Sequence, residues 1–356
     1  HRDLHSFPTR RSSDLHAADV DSEEVQNHIA SIVKDAGGEL PGGIRTWELE
    51  LDETPLDAAD AARALVYTVQ AFASAQGGEF TISSLEDGAR RMMSDAVERI
   101  GRLRATIEKR DFVVVYQPIV DLGNEEVHHL EALTRVDGMS SPIDFITFAE
   151  DVGLIHDFDL LLTQSVLDTL KAHHKEPKLP DVAINLSAKT LMSPLFLKQF
   201  QTVTEPYGAL ARKLLIEVTE TVVVTDIARL NGVLQRLRES GYRICLDDVG
   251  SGATSFQSLY GLQVDFAKID GSFVRGAAGS NRDMAMLRSM VDVCTQLGLA
   301  LIGEQVEEPS HARLLSELGV GYAQGYLYGH PSRDFAYFAK DWSKMARKGG
   351  KVLLKG

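Results

Sequence analysis

Two adjacent aspartates, Asp247 and Asp248, follow a short apolar run and precede a loop that contains Gly250 and Gly252. Neighbouring carboxylates repel each other unless a positive charge lies between them. Adjacent residues of a strand point to opposite faces, so both aspartates can serve one site only if the strand ends there and the chain turns. The glycines allow that turn. A divalent metal ion is the simplest partner for this acidic pair.

Further polar residues stand at or near the ends of apolar runs. Taken singly, each has an ordinary explanation as a helix cap or as one half of an ion pair. Taken together, they supply more carboxylates than structure requires, since an inward carboxylate is costly unless it is paired or metal-bound. The set is Gln117, Glu131, Arg135, Asn185, Glu217, Glu220, Asp247, Asp248, Lys268, Glu304, Glu307 and Gln324.

The donor types in this set indicate a metal and a reaction. Oxygen ligands without a cluster of cysteine or histidine favour Mg²⁺ or Mn²⁺ over zinc. Four or more carboxylates suffice for two ions about 3.5–4 Å apart, an arrangement suited to phosphodiester hydrolysis.

Strands and helices alternate from residue 112 onward, which explains how these residues can meet. Apolar runs bounded by turn residues predict eight strands, at residues 112–116, 127–136, 182–186, 214–218, 244–246, 264–269, 299–303 and 321–323. Helical periodicity predicts helices at residues 143–150, 157–173, 194–204, 226–240, 281–297 and 309–318. This alternation favours a TIM-type (β/α)8 barrel with the site at the strand ends. Only residues 121–125 join the first two strands, which implies an antiparallel first pair.

Several motifs in this region resemble one known family. Glu131-Ala132-Leu133, followed by Thr134-Arg135, resembles the signature of the EAL domain, a family of cyclic-di-GMP phosphodiesterases. The other motifs, in family order, are Tyr116-Gln117-Pro118-Ile119, Asn185-Leu186-Ser187, Glu217-Val218-Thr219-Glu220, Asp247-Asp248, Lys268-Ile269-Asp270, Glu304-Gln305-Val306-Glu307 and Gln324-Gly325-Tyr326. The resemblance covers roughly residues 109–340 and implies hydrolysis of cyclic di-GMP to linear pGpG.

The resemblance also implies a role for each matching residue. The first of two metal ions, Mg²⁺ or Mn²⁺, would be held by Glu131, Asn185, Glu217 and Asp247. The second would be held by Asp248 and the bridging Asp247, with Glu304 as a further metal-site carboxylate. Glu131, Lys268 and Glu304 would be catalytic, with Glu304 helping to deprotonate the attacking water and Lys268 orienting it or stabilising charge. The substrate would be contacted by Gln117, Leu133, Arg135, Glu307 and Gln324. Glu220 would anchor the loop after Asp248.

Departures from the family pattern leave an alternative open. The usual loop reads DDFGTGYSS, whereas here Val249 and Ala253 replace two aromatic residues. Gly303 and Gln305 replace the common alanine and glycine around Glu304. The alternative is a catalytically weak or inactive EAL domain that acts as a cyclic-di-GMP receptor or as a protein-interaction module.

The first part of the chain carries weaker signals. Residues 1–15 resemble a translated sequencing adapter, so we exclude them from fold reasoning and expect the natural N-terminus to lie elsewhere. Residues 16–86 predict a small α+β fragment, with helices at 25–33 and 58–75 and a strand at 46–51. In the second helix the apolar residues at helical spacing are Ala62, Leu65, Val66, Val69 and Phe72. We reject Gly77-Gly78-Glu79-Phe80 as a match to the GGDEF signature, because it lacks one of the paired acids and lies too close to the next domain to leave room for the rest of a cyclase. From its position before that domain we interpret this part as the remnant of a degenerate GGDEF-like domain.

A linker helix is predicted at residues 85–110, with its body at 87–108. Its apolar residues step by three or four positions in a narrow seam formed by Met93, Val97, Ile100, Leu103 and Ile107. The pattern fits a linker helix packed on its neighbour as well as a signal-transmitting dimer helix. The basic residues of 341–356 predict a solvated C-terminal tail.

The composition is that of an ordinary soluble protein, with 44% hydrophobic and 25% charged residues among 356. The net charge of −14 argues against a partner that is duplex nucleic acid. Cys245 and Cys294 both lie in apolar runs, which predicts buried reduced thiols and a cytoplasmic location. No apolar stretch approaches the ~20 residues that span a bilayer. We expect cyclic di-GMP as ligand and a homodimer as assembly.

Overall fold

Eight strands close into a barrel in chain order, as the sequence predicts. The computed structural model describes residues 58–74, 82–136, 142–219, 226–250, 256–277 and 279–338. The strands are β1 (Val113–Asp121), β2 (Val127–Arg135), β3 (Asp181–Leu186), β4 (Leu214–Thr219), β5 (Arg243–Val249), β6 (Phe266–Ile269), β7 (Ala300–Gly303) and β8 (Tyr322–Gln324). The barrel is therefore of the predicted (β/α)8 class.

The predicted antiparallel start of the barrel is confirmed. Strand β1 runs antiparallel to both β2 and β8, whereas all the other neighbours are parallel. Asp121 makes the tight reversal possible because its Oδ1 accepts hydrogen bonds from the backbone N–H groups of Gly123 and Asn124, at 2.8 and 3.2 Å. Glu125 completes the turn with φ of +58°.

Helices surround the barrel and precede it. They are α1 (Ala58–Ser74), α2 (Ile82–Lys109), α3 (Pro142–Asp151), α4 (Ile155–Ala172), α5 (Ala188–Leu191), α6 (Pro194–Thr204), α7 (Ile227–Glu239), α8 (Phe256–Gly261), α9 (Gly271–Ala277), α10 (Asn281–Gln296), α11 (Pro309–Glu317) and α12 (Phe335–Phe338). A 3₁₀ segment, Glu205–Lys213, leads into β4. Side-chain caps fix several starts; Asp226, for example, accepts a hydrogen bond from Arg229 N at 2.9 Å.

The barrel interior is layered, and the layering follows from strand alternation. One layer is mainly apolar and contains Ile119, Ala183, Leu215, Cys245, Phe266 and Ile302, with the buried ring of His129 at the same level. Since inward positions recur every second residue, the next inward layer lies two residues further towards the parallel strands' carboxyl ends. That layer is polar. The apolar layer therefore closes the barrel beneath the polar one.

Helix α2 packs along the outside of the barrel. Met93, Val97, Ile100 and Leu103 are buried, and Ile107 is partly buried. They share a core with aromatic residues of α3 and α4, namely Phe145, Phe148 and Phe158. Of the two interpretations left open for this seam, packing on a neighbour in the same chain is the one observed.

Helix α1 is present as predicted, but it packs through a different face. Leu65, Val66 and Val69 are 52–59% exposed, and Ala62 is also exposed. The contact with α2 uses the small residue Ala64, together with Thr68 and Asp60, all of them buried. Asp60 accepts a bidentate hydrogen bond from Arg104, with one branch at 2.8 Å. The ion pair and the small side chains let the helices approach closely, which the apolar periodicity of α1 alone could not reveal.

Several predicted features lie outside the described residues. They are the adapter-like segment 1–15, the helix at 25–33, the strand at 46–51, the motif at 77–80, Glu220, Ala253 and the tail at 341–356. Within the described ranges, no helix combines the length and the apolar character needed to cross a membrane.

Candidate active site

The polar layer of the barrel collects the predicted site residues. Each strand contributes one of them, except that Glu304 follows β7 directly: Gln117, Glu131, Asn185, Glu217, Asp247, Lys268, Glu304 and Gln324. They stand two positions from the apolar layer on the same strands, which is why all of them point into the barrel. Sequence spacing thus predicted their meeting correctly.

Lys268 occupies the centre of this layer and is only 1% exposed. Its ammonium Nζ lies 3.3 Å from an oxygen of both Glu131 and Glu217, 3.1 Å from Asp247 and 2.9 Å from Glu304. Burial alone would lower the pKa of Lys268, but the four carboxylates outweigh it and hold that pKa well above its usual range. The lysine therefore stays charged.

Glu131 is held by amides as well as by Lys268. Its Oε1 accepts from Asn185 Nδ2 at 2.9 Å, and its Oε2 accepts from Gln324 Nε2 at 2.6 Å. Gln324 also donates to Gln117 Oε1 at 3.2 Å, and Gln117 donates to the carbonyl of Gly329. Burial would raise the pKa of Glu131, but Lys268 and the two amides together lower it. Glu131 is therefore a fixed carboxylate.

Two other acids of this layer hold protons more readily. Burial, with the nearby acids Glu131, Asp247 and Glu304, raises the pKa of Glu217 well above its usual range against the opposing effect of Lys268. Burial also raises the pKa of Glu304 to about 7, again opposed by Lys268 and supported by Asp247. A carboxyl with a pKa near neutrality is suited to transferring a proton.

Asp247 and Asp248 do lie at one site, but the predicted reason is wrong. Strand β5 does not stop at Asp247; it continues to Val249. The pairing of β5 with β6 instead shifts register between Leu246 and Val249, and Asp248 adopts a left-handed φ of +55°. This bulge breaks the alternation and brings the two carboxylates to the same side. Burial, followed by Asp247, raises the pKa of Asp248.

The donor set fits a bound cation. Among the described residues, Asp247, Asp248 and Glu304 each place a carboxylate oxygen within 4.8 Å of the others. Two further oxygens, Asn185 Oδ1 and Glu217 Oε1, are buried without a hydrogen-bond partner in the described part of the chain. Buried oxygens of this kind are costly unless something positive meets them.

The two predicted sets of metal ligands differ in how closely their members lie together. The set for the second ion forms the compact group of three carboxylates. In the set for the first ion, Glu131, Glu217 and Asp247 all contact Lys268, and Asn185 reaches that set through Glu131. Their sharing of one ion stays a prediction.

A cavity of about 350 Å³ opens above these residues. Four of the predicted substrate contacts line it: Gln117, Leu133, Glu307 and Gln324. Arg135 is not among the lining residues; its side chain is exposed and donates to the Thr134 carbonyl at 2.8 Å. Glu220 lies outside the described residues.

Besides Gly325, two residues whose side chains line the cavity were not assigned from the sequence. Tyr326 is 56% exposed, and its ring stacks on that of His330 with centroids 4.0 Å apart. Gln305 also lines the cavity. Both lie inside quoted motifs, so an aromatic residue directly after Gln324-Gly325 was a usable signal for Tyr326.

Comparison with known proteins agrees with this geometry. A family model described as the EAL domain matches residues 100–331. The chain is 33% identical over 241 residues to the probable cyclic di-GMP phosphodiesterase PdeI of Escherichia coli, covering 64% of this chain and 30% of that protein. It is 29% identical over 252 residues to the cyclic di-GMP phosphodiesterase PdeB of Shewanella oneidensis, covering 69% of this chain and 29% of the relative.

Solved structures give the same answer for the fold. The structure described as "PaMucR Phosphodiesterase, c-di-GMP complex" superimposes with a TM-score of 0.60 at 27% identity, over 67% of this chain and 99% of that one. The chain spans less than a third of the length of the two curated relatives named above. Because the family model covers more than half of the sequence, this chain belongs to the EAL domain family.

Proposed function

We propose that this chain is a phosphodiesterase that hydrolyses cyclic di-GMP to linear pGpG. The observation that carries the proposal is the group of Asp247, Asp248 and Glu304 beside the ammonium of Lys268, with Asp247, Lys268 and Glu304 lining the cavity. Relatives named for this activity and a structural neighbour described as a cyclic-di-GMP complex support the same substrate.

We propose two divalent ions, Mg²⁺ or Mn²⁺, at this floor. Asp247, Asp248 and Glu304 would hold one, and Glu131, Asn185, Glu217 and Asp247 would hold the other. When bound, such ions lower the pKa of water and offset the charge of a phosphodiester. All-oxygen donors favour these hard cations over zinc.

The residues of the chain divide the remaining work. Glu304, a carboxylate beside Lys268 and the proposed ions, takes the proton from the attacking water. Lys268 stays protonated and places a positive charge beside the phosphorus, where negative charge grows in the transition state. Gln324 and Asn185 keep Glu131 in one orientation. The water oxygen forms a bond to phosphorus as the bond between phosphorus and the sugar oxygen breaks, and the departing sugar oxygen takes a proton from solvent, which opens the ring.

Two predicted contacts enter the proposal at the rim. Arg135 is exposed and follows β2 towards the same end of the barrel, so a side-chain rotation would direct its guanidinium to a phosphate. Glu220 would anchor the loop after Asp248. Leu133 and Glu307 would contact the base or sugar from the cavity wall.

A second candidate function is a receptor that binds cyclic di-GMP without cleaving it. The position of Lys268 favours the receptor. Its ammonium already contacts four carboxylates and so offsets part of the negative charge that would otherwise attract metal ions. Val249 in place of an aromatic residue adds to the case, since it lies next to Asp248. A pure protein-interaction module predicts no nucleotide binding at all.

Chromatography of cyclic di-GMP incubated with the protein and Mn²⁺ or Mg²⁺ tests the proposal. We expect conversion to pGpG and its loss in Glu131→Ala, which removes an interaction needed in the transition state more than in binding. Nucleotide binding without product would support the receptor instead. Neither binding nor product would leave only the interaction module.

We also propose a homodimer acting in the cytoplasm. The two cysteines, Cys245 and Cys294, are free and buried, which fits a reducing compartment. Light scattering of the purified protein with and without nucleotide tests the dimer.

A further inference from the structure

Gln305 adopts an unusual backbone conformation directly beside the catalytic carboxylates. It follows Glu304 and has a left-handed φ of +51°, a region that residues other than glycine seldom occupy. Such a conformation is strained for a residue with a side chain, and strained backbone is found most often at functional sites. Gln305 also lines the 350 Å³ cavity.

The side chain of Gln305 packs against helix α9. A Cβ added to Gly271 would lie 2.4 Å from the Cβ of Gln305, so only glycine at position 271 leaves room for this side chain. Arg275, one turn further along the same helix, donates a hydrogen bond to Gln305 Oε1. A guanidinium can only donate, so the amide oxygen must face Arg275. The amide NH₂ is then the end that points elsewhere.

The other amides of the cavity are already engaged. Gln117 donates to the carbonyl of Gly329, and Gln324 donates to Glu131 and to Gln117. Lys268 is surrounded by its four acids. Among the described residues, none accepts a hydrogen bond from Gln305 Nε2. Gln305 is thus the amide of this cavity whose donor remains available to a ligand, and the Arg275 charge polarises it into a stronger donor.

We propose that Gln305 is a substrate-binding residue whose amide donates to an oxygen of the nucleotide's phosphodiester, and that Arg275 is a positioning residue acting through it. The phosphodiester is the expected acceptor because Gln305 directly follows Glu304, where the scissile group must lie. This inference rests on the proposed function. Gln305 follows β7 and does not lie on a strand, so it adds a hydrogen-bond donor to those that the strands of the barrel supply.

Gln305→Gly tests the proposed contact, since glycine keeps the left-handed backbone while it removes the side chain with its amide. One hydrogen bond to a charged acceptor corresponds to roughly a tenfold change in affinity. We expect Kd for cyclic di-GMP, measured by calorimetry in chelator so that no turnover intervenes, to rise about tenfold. With metal added, KM should rise similarly while kcat changes little, and Tm should stay equal or increase because backbone strain is relieved. Gln305→Asn tolerates the same backbone conformation, but its shorter side chain cannot reach Arg275. Its Kd and KM should therefore lie between those of the wild type and of Gln305→Gly.

Arg275→Met tests the positioning role. We expect a smaller rise in KM than in Gln305→Gly, partial recovery in Arg275→Lys, and no added effect of Arg275→Met in the Gln305→Gly background. A purely structural arginine would lower Tm equally in both backgrounds and leave KM unchanged.

The outcomes separate this inference from the proposed function. If the wild-type protein binds and cleaves cyclic di-GMP and Gln305→Gly has the same Kd and KM, this inference alone is overturned. A wild-type protein that neither binds nor cleaves would overturn both.

Discussion

At the scale of single residues, the site depends on one buried ammonium among four acids. Removing a charged group from water costs several kcal/mol, and only close opposite charges recover that cost. Lys268 has four such contacts, all between 2.9 and 3.3 Å. The same lysine that is proposed to stabilise charge during the reaction therefore also holds the barrel together when no ion is bound.

Lys268→Met tests this double role. The substitution leaves Glu131, Glu217, Asp247 and Glu304 facing one another without their cation, so the free energy of unfolding in chelator should fall by about 3–5 kcal/mol. Added Mn²⁺ should then raise Tm more in the variant than in the wild type, because an ion would replace the lost charge. Thermal melts with and without Mn²⁺ give both values.

Lys178→Met is the matched control for that experiment. Lys178 pairs with Glu126 at 3.1 Å on the surface and is half exposed. An exposed pair contributes at most about 1 kcal/mol. Equal destabilisation by the two substitutions would contradict the central role of Lys268.

Strands and loops, the next scale up, account for most of what the sequence predicted and for what it missed. The eight strands were predictable because each combines an apolar run with a polar residue at a fixed inward position. The bulge at Asp248 was not, since it depends on how β5 pairs with β6. The conformation of Gln305 and the packing face of α1 were hidden for the same reason. Each involves a neighbouring element: Gly271 leaves room for the side chain of Gln305, and Arg104 pairs with Asp60 of α1.

The loops after β7 and β8 touch at Gly325. A Cβ at this position would lie 2.1 Å from the Val306 carbonyl oxygen and 2.3 Å from its nitrogen, both backbone atoms. Val306 also makes backbone hydrogen bonds to residues before and after Gly325: its N–H donates to Gln324 O at 2.9 Å, and its carbonyl accepts from Leu327 N at 3.0 Å. This contact fixes Glu307, Gln324 and Tyr326 relative to one another in the cavity.

Gly325→Ala should therefore separate the two loops. We expect the free energy of unfolding to fall by about 1–3 kcal/mol and KM for cyclic di-GMP to rise, since overpacking displaces backbone. Gly321→Ala serves as the comparison, because a Cβ there meets nothing within 4 Å and the residue's φ is not positive. Urea unfolding and initial rates measure both effects. An unchanged KM in Gly325→Ala would argue against loop contact as the cause of cavity shape.

The buried acid Asp159 of helix α4 contacts the first residue after strand β3. Its Oδ2 accepts from Ser187 N at 3.4 Å, and burial raises its pKa to about 8. The unfolded chain's aspartate has a pKa near 3.9, so the folded state keeps a proton that the unfolded state releases. Stabilisation by the neutral carboxyl is thus complete below about pH 4 and is lost as the pH rises to about 8.

Asp159→Asn should remove this pH dependence. The amide mimics the neutral carboxyl, so the variant should match the wild type near pH 4 and exceed its stability at pH 8 by an amount on the order of a few kcal/mol. Urea unfolding at several pH values is the measurement. Asp157→Asn, an exposed change in the first turn of the same helix, should follow the wild-type trend. A wild-type stability that is flat across this range would refute a neutral Asp159.

Across the whole molecule, the two N-terminal helices are attached to the barrel rather than suspended ahead of it. The predicted catalytic domain begins at residue 109, yet the family match begins at residue 100 and the seam of α2 is buried from Met93 onward. The apolar stripe of α1, in contrast, is uncovered among the described residues. The contact between these helices and the barrel therefore runs through the packed face of α2 and not through the stripe of α1.

Ile100→Ala and Leu65→Ala separate these two faces. Ile100 is fully buried against the barrel helices, so truncation leaves a cavity and should cost about 2–5 kcal/mol in urea unfolding. Leu65 is 53% exposed, and its truncation should change stability by no more than about 0.5 kcal/mol. If the helices and the barrel unfold together, Ile100→Ala will shift a single transition monitored at the barrel. A separate early unfolding transition for the helices would mean that α2 adds little to the stability of the barrel. A large loss of unfolding free energy in Leu65→Ala would mean that the apolar stripe of α1 is covered in solution.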